Sequence, residues 1–456
     1  MIIPLSIVGL LGLVCLALLA SPYPFLAPGA VLGLVGVAAL YRKPCWGLLG
    51  IAALLPFEGL FKDNALSGSK FLGMALILIL MLQLALHQIP ATRLRSNIWK
   101  PLLGFMTLYG LSLLISENMD MSLMQMRELA VGPILFMITL LIGRELNLEM
   151  FARLMTVSVA TTCVLAMFSA KYQEQGRALG LLEDPNAFAL LIAFTVPLAL
   201  LLTIRSQNLL HRLFWGGGLM LLLGGMAKTE SRSGLVVLLL TLMIGLYHYR
   251  AQLPRVRPRH LGFAMLGVAL MVPATIVLMP ASYVARIQSL SILSSGTNDY
   301  KDGSLGRRAS YIVVGSQMIR EKPILGSGPG TFPQHYAPTG YAKAFSANRK
   351  RGDLYREAHN TYLQIFSEIG VPGGLMFVGM IGLGLYNLVR TRQLWLQRRD
   401  WTQADLLTHL GMSFLSLALF LMFLSAPNHK LLWIMLALSS ILRYDAEQAA
   451  PQEARS

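Results

Sequence analysis

Apolar runs of about 17–22 residues recur along the whole chain, and they constrain its fold more than any other feature. A soluble core helix is shorter, about 10–14 residues, and polar along one face. Crossing hydrocarbon takes about 20 residues, with the backbone hydrogen bonds closed inside the segment. Only 13% of the 456 residues are charged and 55% are hydrophobic, too apolar for a water-soluble protein of this size. The expected fold class is all-α: a polytopic membrane helix bundle of about 12–14 spans with one long, partly helical outer loop.

The runs place spans near 2–20, 25–41, 45–57, 71–87, 99–116, 121–143, 150–170, 186–204, 210–227, 233–249, 261–281, 361–389, 408–426 and 430–444. The first lacks a basic leader and is followed at once by another apolar run, so it reads as a span and not as a cleaved signal. The organisation expected is N-terminal spans over 1–281, a long loop over 282–358, C-terminal spans over 359–444, and a disordered cytoplasmic tail over 445–456 rich in Pro, Ala, Gln and Glu.

Orientation follows from the basic residues. Alternate short connections (Arg42-Lys43, Arg93 to Lys100, Arg144 to Arg153, Arg205 to Arg212, Arg250 to Arg259, Arg390 to Arg399) hold 17 Lys and Arg, against seven in the opposite set. Lys and Arg accumulate in cytoplasmic connections, which puts both termini in the cytoplasm and residues 281–358 outside. The net charge of +16 is then mostly a matter of topology, and no nucleic-acid partner is expected. The long loop carries 11 Lys and Arg against five Asp and Glu, an excess that topology does not require, because long loops cross largely regardless of charge. It reads either as a solvated surface or as an electropositive site for an anionic substrate.

Cys15, Cys45 and Cys163 lie far apart in or beside apolar runs, which makes them packing residues. No Ser-His-Asp order, nucleotide fingerprint or divalent-metal spacing is present, so neither a metal nor another cofactor is expected.

Four outward positions carry candidate chemistry. Arg177 precedes Asp184-Pro185-Asn186, a triplet suited to capping the next span; Arg177 itself fits a phosphate ligand or a surface charge equally. Arg232, in Ser231-Arg232-Ser233-Gly234, occupies a very short connection, where an unpaired guanidinium at depth costs about 2–3 kcal/mol unless it snorkels to the interface. Arg307 and Arg308 open a segment expected to be helical over Ala309 to Arg320, before Lys322-Pro323 ends it. The glycines of Gly326-Ser327-Gly328-Pro329-Gly330 allow backbone amides to approach a ligand, although a plain turn has the same composition. His359 precedes a helix start at which Asn360 is the expected N-cap. Gly370, Pro372, Gly373 and Gly374 break that span, as is tolerated where a helix lines a cavity. Glu368, inside the same apolar stretch, calls for a polar cavity or a partner such as a guanidinium.

Taken together, Gly306-Arg307-Arg308, Lys322-Pro323-Ile324-Leu325-Gly326-Ser327-Gly328-Pro329-Gly330-Thr331-Phe332 and His359-Asn360-Thr361-Tyr362-Leu363-Gln364 resemble the bacterial O-antigen ligase and Wzy-type polymerase superfamily over roughly residues 170–430. The resemblance implies an integral membrane glycosyltransferase of the inner membrane that works at the periplasmic face without metal. Its donor would be an undecaprenyl-diphosphate-linked glycan, its acceptor lipid A-core or a growing polysaccharide, and membrane lipid its surroundings. By motif, Arg232, Arg308 and His359 match the family's catalytic positions, and Arg177, Arg232, Arg307 and Arg308 its diphosphate side, with Asn360, Gly328 and Gly330 in support. Fixed guanidiniums suit a diphosphate leaving group, and a histidine suits proton transfer from an acceptor hydroxyl. The competing expectation is a glycan transporter or flippase, which the many spans also fit, but for which paired broken helices would be usual.

Overall fold

The computed structural model describes residues 16–17, 20, 26–61, 68–174, 176–182, 184–249, 303–346 and 354–453, and the apolar runs that fall within them are helical. The span expected over 2–20 falls almost wholly outside these residues, as do the span over 261–281, Cys15 and the first part of the long loop. Among the described residues there are fifteen α-helices: α1 (Leu26–Arg42), α2 (Cys45–Leu54), α3 (Gly68–Ala85), α4 (Trp99–Leu114), α5 (Met119–Ile142), α6 (Leu148–Phe168), α7 (Pro185–Arg205), α8 (Leu209–Thr229), α9 (Arg232–Tyr249), α10 (Gly303–Glu321), α11 (Phe332–Tyr336), α12 (Gly340–Ala344), α13 (Thr361–Gln397), α14 (Trp401–Phe420) and α15 (Lys430–Glu453). A two-stranded antiparallel ribbon, β1 (Gln173–Glu174) with β2 (Arg177–Ala178), is the one sheet among them.

Seven of these helices, α3, α5, α6, α7, α8, α9 and α13, are long and apolar enough to cross a membrane. The protein is an all-α, multi-pass membrane protein. Burial separates centre from periphery: 78% of the apolar window of α7 is inside the protein, against 17% of that of α8. The outer face of α8 presents Leu209, Leu210, Leu213 and Phe214, an apolar surface that only lipid covers without penalty. Small residues let helices approach closely, as expected where lipid tails compete equally for apolar contact. A Cβ on Gly132 of α5 would lie 2.2 Å from the fully buried Trp433 of α15.

Helix ends depart from the hydropathy boundaries where polar residues continue a helix. Asp400 accepts from the Gln403 amide at 2.9 Å, so α14 starts at Trp401, seven residues before the apolar run. The third run ends early, as α2 gives way to a 3-10 turn over Leu55–Phe61. The last helix, α15, runs on to Glu453.

The helices alternate in direction, which gathers the second ends of α4, α6, α8 and α14 with the first ends of α5, α7, α9, α13 and α15. Over this end sits the described part of the long loop. Its helices α10, α11 and α12 share a small apolar core of Tyr311, Val314, Met318, Phe332, Tyr336, Ala342 and Ala358. Helix α10 packs on α13, where Gly315 leaves room for Leu363.

Candidate functional site

The site is built around the start of α13. The Asn360 side chain caps the helix, accepting from the Leu363 amide at 3.1 Å, as its position before an apolar run suggests. Thr361 ties this start to the end of α14: its amide donates to Leu421 O at 2.8 Å and its hydroxyl to Leu424 O at 2.6 Å. His359 is thereby held between the loop core, which takes Ala358, and the cap. It adopts a left-handed backbone with φ of +45°, uncommon outside glycine and a mark of a position constrained from both sides. Its ring stacks on Tyr311, centroids 5.7 Å apart.

Four charges from three segments face this ring. Burial lowers the His359 pKa from the ordinary 6.5; Asp184 opposes that shift, and Arg308, Arg356 and Arg307 add to it. The imidazole is therefore neutral at pH 7 and open to a proton. Arg308 also lies 5.7 Å from the centre of the Phe423 ring, within cation–π range. Arg307 Nε is buried without a hydrogen-bond partner, an unmet donor of the kind an anion satisfies.

Asp184 links this group to a second. As N-cap of α7 it accepts from the Asn186 amide at 2.6 Å and the Ala187 amide at 3.2 Å, so the Asp-Pro-Asn triplet does cap the span. The Asn186 side chain accepts from the Ser231 hydroxyl at 3.0 Å, and Ser231 and Ser233 share a hydrogen bond of 3.0 Å. These hydroxyls brace the turn between α8 and α9 from which Arg232 starts α9. Arg177, on β2, donates from Nε to Thr229 O at 3.1 Å in the same turn. The structure thus groups His359, Arg307 and Arg308 on one side, and Arg177 with the Arg232 turn on the other, with Asp184 between them.

The glycine loop has another role from the one its composition suggests. Gly370 interrupts α13 with φ of +82° and ψ of 174°, and Pro372 has no N–H, so the carbonyls of Ser367 and Glu368 lose their partners within the helix. Ser327 N donates to Ser367 O at 3.2 Å and Gly328 N to Glu368 O at 3.0 Å, while Val371 N, freed by the break, donates to Pro323 O at 2.7 Å. The Ser112 hydroxyl also reaches Glu368 O, and that of Ser122 reaches Pro329 O at 2.6 Å. Gly328 and Gly330 have positive φ, and a Cβ on either would meet Ser116 or Gln125. The loop patches the broken helix, and its Gly328 amide is spent on that task.

Glu368, likewise, is met by backbone and amide groups and not by a guanidinium. Its carboxylate accepts from the Phe332 amide at 3.1 Å and from the amide of Gly330, with Gln364 Nε2 at 3.4 Å. It also borders a polar cavity of about 50 Å³ between α4, α5, α13 and the connection from α14 to α15. Two charged residues of this region escaped the sequence reading. Arg356 and Glu357 lie three and two residues before His359, and that closeness was the available signal; Glu357 is held above the usual carboxylate range by burial and by the like charges of Glu128 and Asp184. Among the described residues no group of three or more His, Cys, Asp or Glu is placed to hold a metal ion.

Residues 217–378 match the family model described as O-antigen ligase. The resemblance drawn from the sequence is borne out over that stretch, which contains Arg232, Arg307, Arg308, Gly328, Gly330, His359 and Asn360 but neither Arg177 nor Asp184. The chain has no match among curated proteins.

Proposed function

We propose that this protein is an integral membrane glycosyltransferase of the bacterial inner membrane, moving a glycan from an undecaprenyl-diphosphate carrier to an acceptor hydroxyl at the periplasmic face. One observation carries the reading: a half-buried histidine, its pKa lowered, faced by Arg307, Arg308 and Arg356 inside a stretch that matches O-antigen ligases. Diphosphate departure develops negative charge, and fixed guanidiniums in a poorly hydrated site stabilise it without reorganising. Arg308 and Arg307 are assigned to that charge, with Arg232 and Arg177 completing the diphosphate side from the α8–α9 turn.

In the step proposed, the acceptor oxygen attacks the anomeric carbon and the bond to the diphosphate oxygen breaks. The diphosphate leaves with the bonding pair, and His359 takes the acceptor's proton, a contribution of about 10²–10⁴-fold in rate. A single displacement inverts the anomeric configuration. The acceptor is lipid A-core in a ligase or a growing polysaccharide in a polymerase; both use the same site, and both termini lie in the cytoplasm.

Reconstitution with undecaprenyl-diphosphate oligosaccharide and both acceptors tests this reading. Wild type is expected to form a new glycosidic bond of inverted configuration, and Arg232→Ala, Arg308→Ala and His359→Ala to lose it while remaining folded. Movement of intact lipid-linked glycan across the bilayer, with no bond formed, would make the protein a transporter instead.

A further inference from the structure

The polar cavity beside Glu357 has a composition opposite to that of the arginine side. Glu128, Glu357 and Glu368 line it together with Gln364, Ser425 and Asn428. Gln364 is only 3% exposed, and its orientation is set by chemistry: its NH₂ group lies 3.4 Å from both oxygens of Glu368, which leaves Oε1 turned away. That Oε1 and the Ser425 hydroxyl are buried without a hydrogen-bond partner. A buried amide oxygen left unmet is costly, so a ligand bringing N–H or O–H donors gains what the protein leaves unsatisfied. An anion gains nothing there, since it would meet carboxyl groups from α5, α13 and the segment before α13 and no guanidinium among the lining residues.

The placement matters as much as the composition. Glu357 is two residues before His359, and Asp184 acts on both of them. Gln364 is one turn past the Asn360 cap, so the cavity lies at the start of α13, close along the chain to the histidine; guanidiniums act on His359, while carboxyl groups line the cavity. A volume of about 50 Å³ has room for more than one water-sized group; it admits hydroxyl groups projecting from a sugar, not a whole oligosaccharide.

We infer that this cavity is the acceptor subsite: it takes the hydroxyl groups of a neutral sugar and holds one of them toward His359. The inference rests on the glycosyltransferase reading above and adds which side of the histidine each substrate occupies. It also assigns specificity, because a sugar carrying phosphate next to the reacting hydroxyl meets the carboxyl groups of Glu128 and Glu357 in place of guanidiniums.

The test measures binding apart from turnover, on the full chain in lipid nanodiscs carrying His359→Ala. The donor probe is undecaprenyl-diphosphate oligosaccharide. The acceptor probes are lipid A-core and a neutral oligosaccharide of the donor's repeat unit, with a phosphorylated form of the latter. Glu128→Gln, nearly isosteric, is expected to weaken acceptor binding about tenfold and leave donor binding unchanged; Arg308→Ala is expected to do the reverse. Ser425→Ala, a milder change, is expected to weaken acceptor binding alone, and the phosphorylated sugar to bind at least about tenfold less tightly than the neutral one. The subsite is overturned if neither acceptor binds without these substitutions, if Glu128→Gln and Ser425→Ala leave acceptor binding intact, or if they weaken the donor equally. Binding of both substrates by wild type without any glycosidic bond would sink the transferase reading and leave the subsite standing.

Discussion

The two ends of the helix bundle solve the problem of polar groups in opposite ways. At the end beneath the long loop, Gly176, Gly180, Glu230, Gly326, Gly328, Gly330, His359 and Gly370 all have positive φ, whereas the other end has only His87 and Arg399 among the described residues. That other end is closed by matched side chains. Asn97 and Asn387 exchange amide hydrogen bonds of 2.9 and 3.0 Å, joined by Ser440 and Arg443, and Asp405 meets Arg205, Tyr249 and His409. Two histidines, His409 buried and His359 half-buried, make the contrast plain. His409 is tied to Asp405 one turn away on its own helix, with Nδ1 3.0 Å from the Asp405 carbonyl oxygen. His359 is faced by charges from separate segments and stacks on a tyrosine. Constrained backbone and converging charge mark the end where chemistry is expected, and satisfied pairs mark the end that holds the helices together.

The largest effects should separate these ends. His359→Ala and Arg308→Ala are each expected to cut glycan transfer by about 10²–10⁴-fold with little change in thermal unfolding. His409→Ala should lower stability by about 1–3 kcal/mol while transfer per folded molecule stays near wild type. Equal loss of transfer in His409→Ala at normal stability would break the comparison.

Next in size is the backbone. A Cβ on Gly370 would lie 2.3 Å from Ile324 O at a φ of +82°, so Gly370→Ala should destabilise by more than the roughly 1–3 kcal/mol of a strained residue alone. On the same helix, the neighbourhood of Gly379 is empty within 4 Å, and Gly379→Ala should be neutral or stabilising by up to about 1 kcal/mol. Unfolding in detergent distinguishes them. At the opposite end, Asn387→Ala leaves Asn97 partly unmet and should cost about 1–3 kcal/mol, without altering the KM for either substrate.

The smallest effect is on pH dependence. A base must be unprotonated, and the His359 pKa is depressed below 6.5, so transfer should hold at neutral pH and fall as pH drops through that lowered value. Arg356 is one of the charges lowering it, so Arg356→Gln should move the acid limb upward; Asp184 raises it, so Asp184→Asn should move the limb downward, each by less than about one pH unit. Shifts in the opposite sense would remove His359 from the proton-transfer role.

Features set by neighbouring residues were legible from the chain alone. Run length established helices that cross lipid, because the hydrocarbon thickness is fixed and the backbone must bond within the segment. Asp184 and Asn360 were readable as caps because a cap acts on amides two or three residues away. The break at Gly370 followed from glycine and proline chemistry within a few residues. The partners of that break did not, because Ser327 and Gly328 reach Ser367 and Glu368 only once the loop folds back on α13. The glycine loop accordingly read as a ligand cradle, although the carbonyls its amides must satisfy lie some forty residues along the chain.

The sequence by itself determined a membrane helix bundle with basic residues segregated along it, and a histidine at the mouth of a broken span. Tertiary structure alone decided that Arg307, Arg308 and Arg356 act on that histidine and that Glu357, with Glu128 and Glu368, lines a cavity at the start of α13. Helix periodicity is local and survives in one dimension. The convergence of charges from α5, α7, α10 and α13 depends on which helix ends meet, and that is a property of packing.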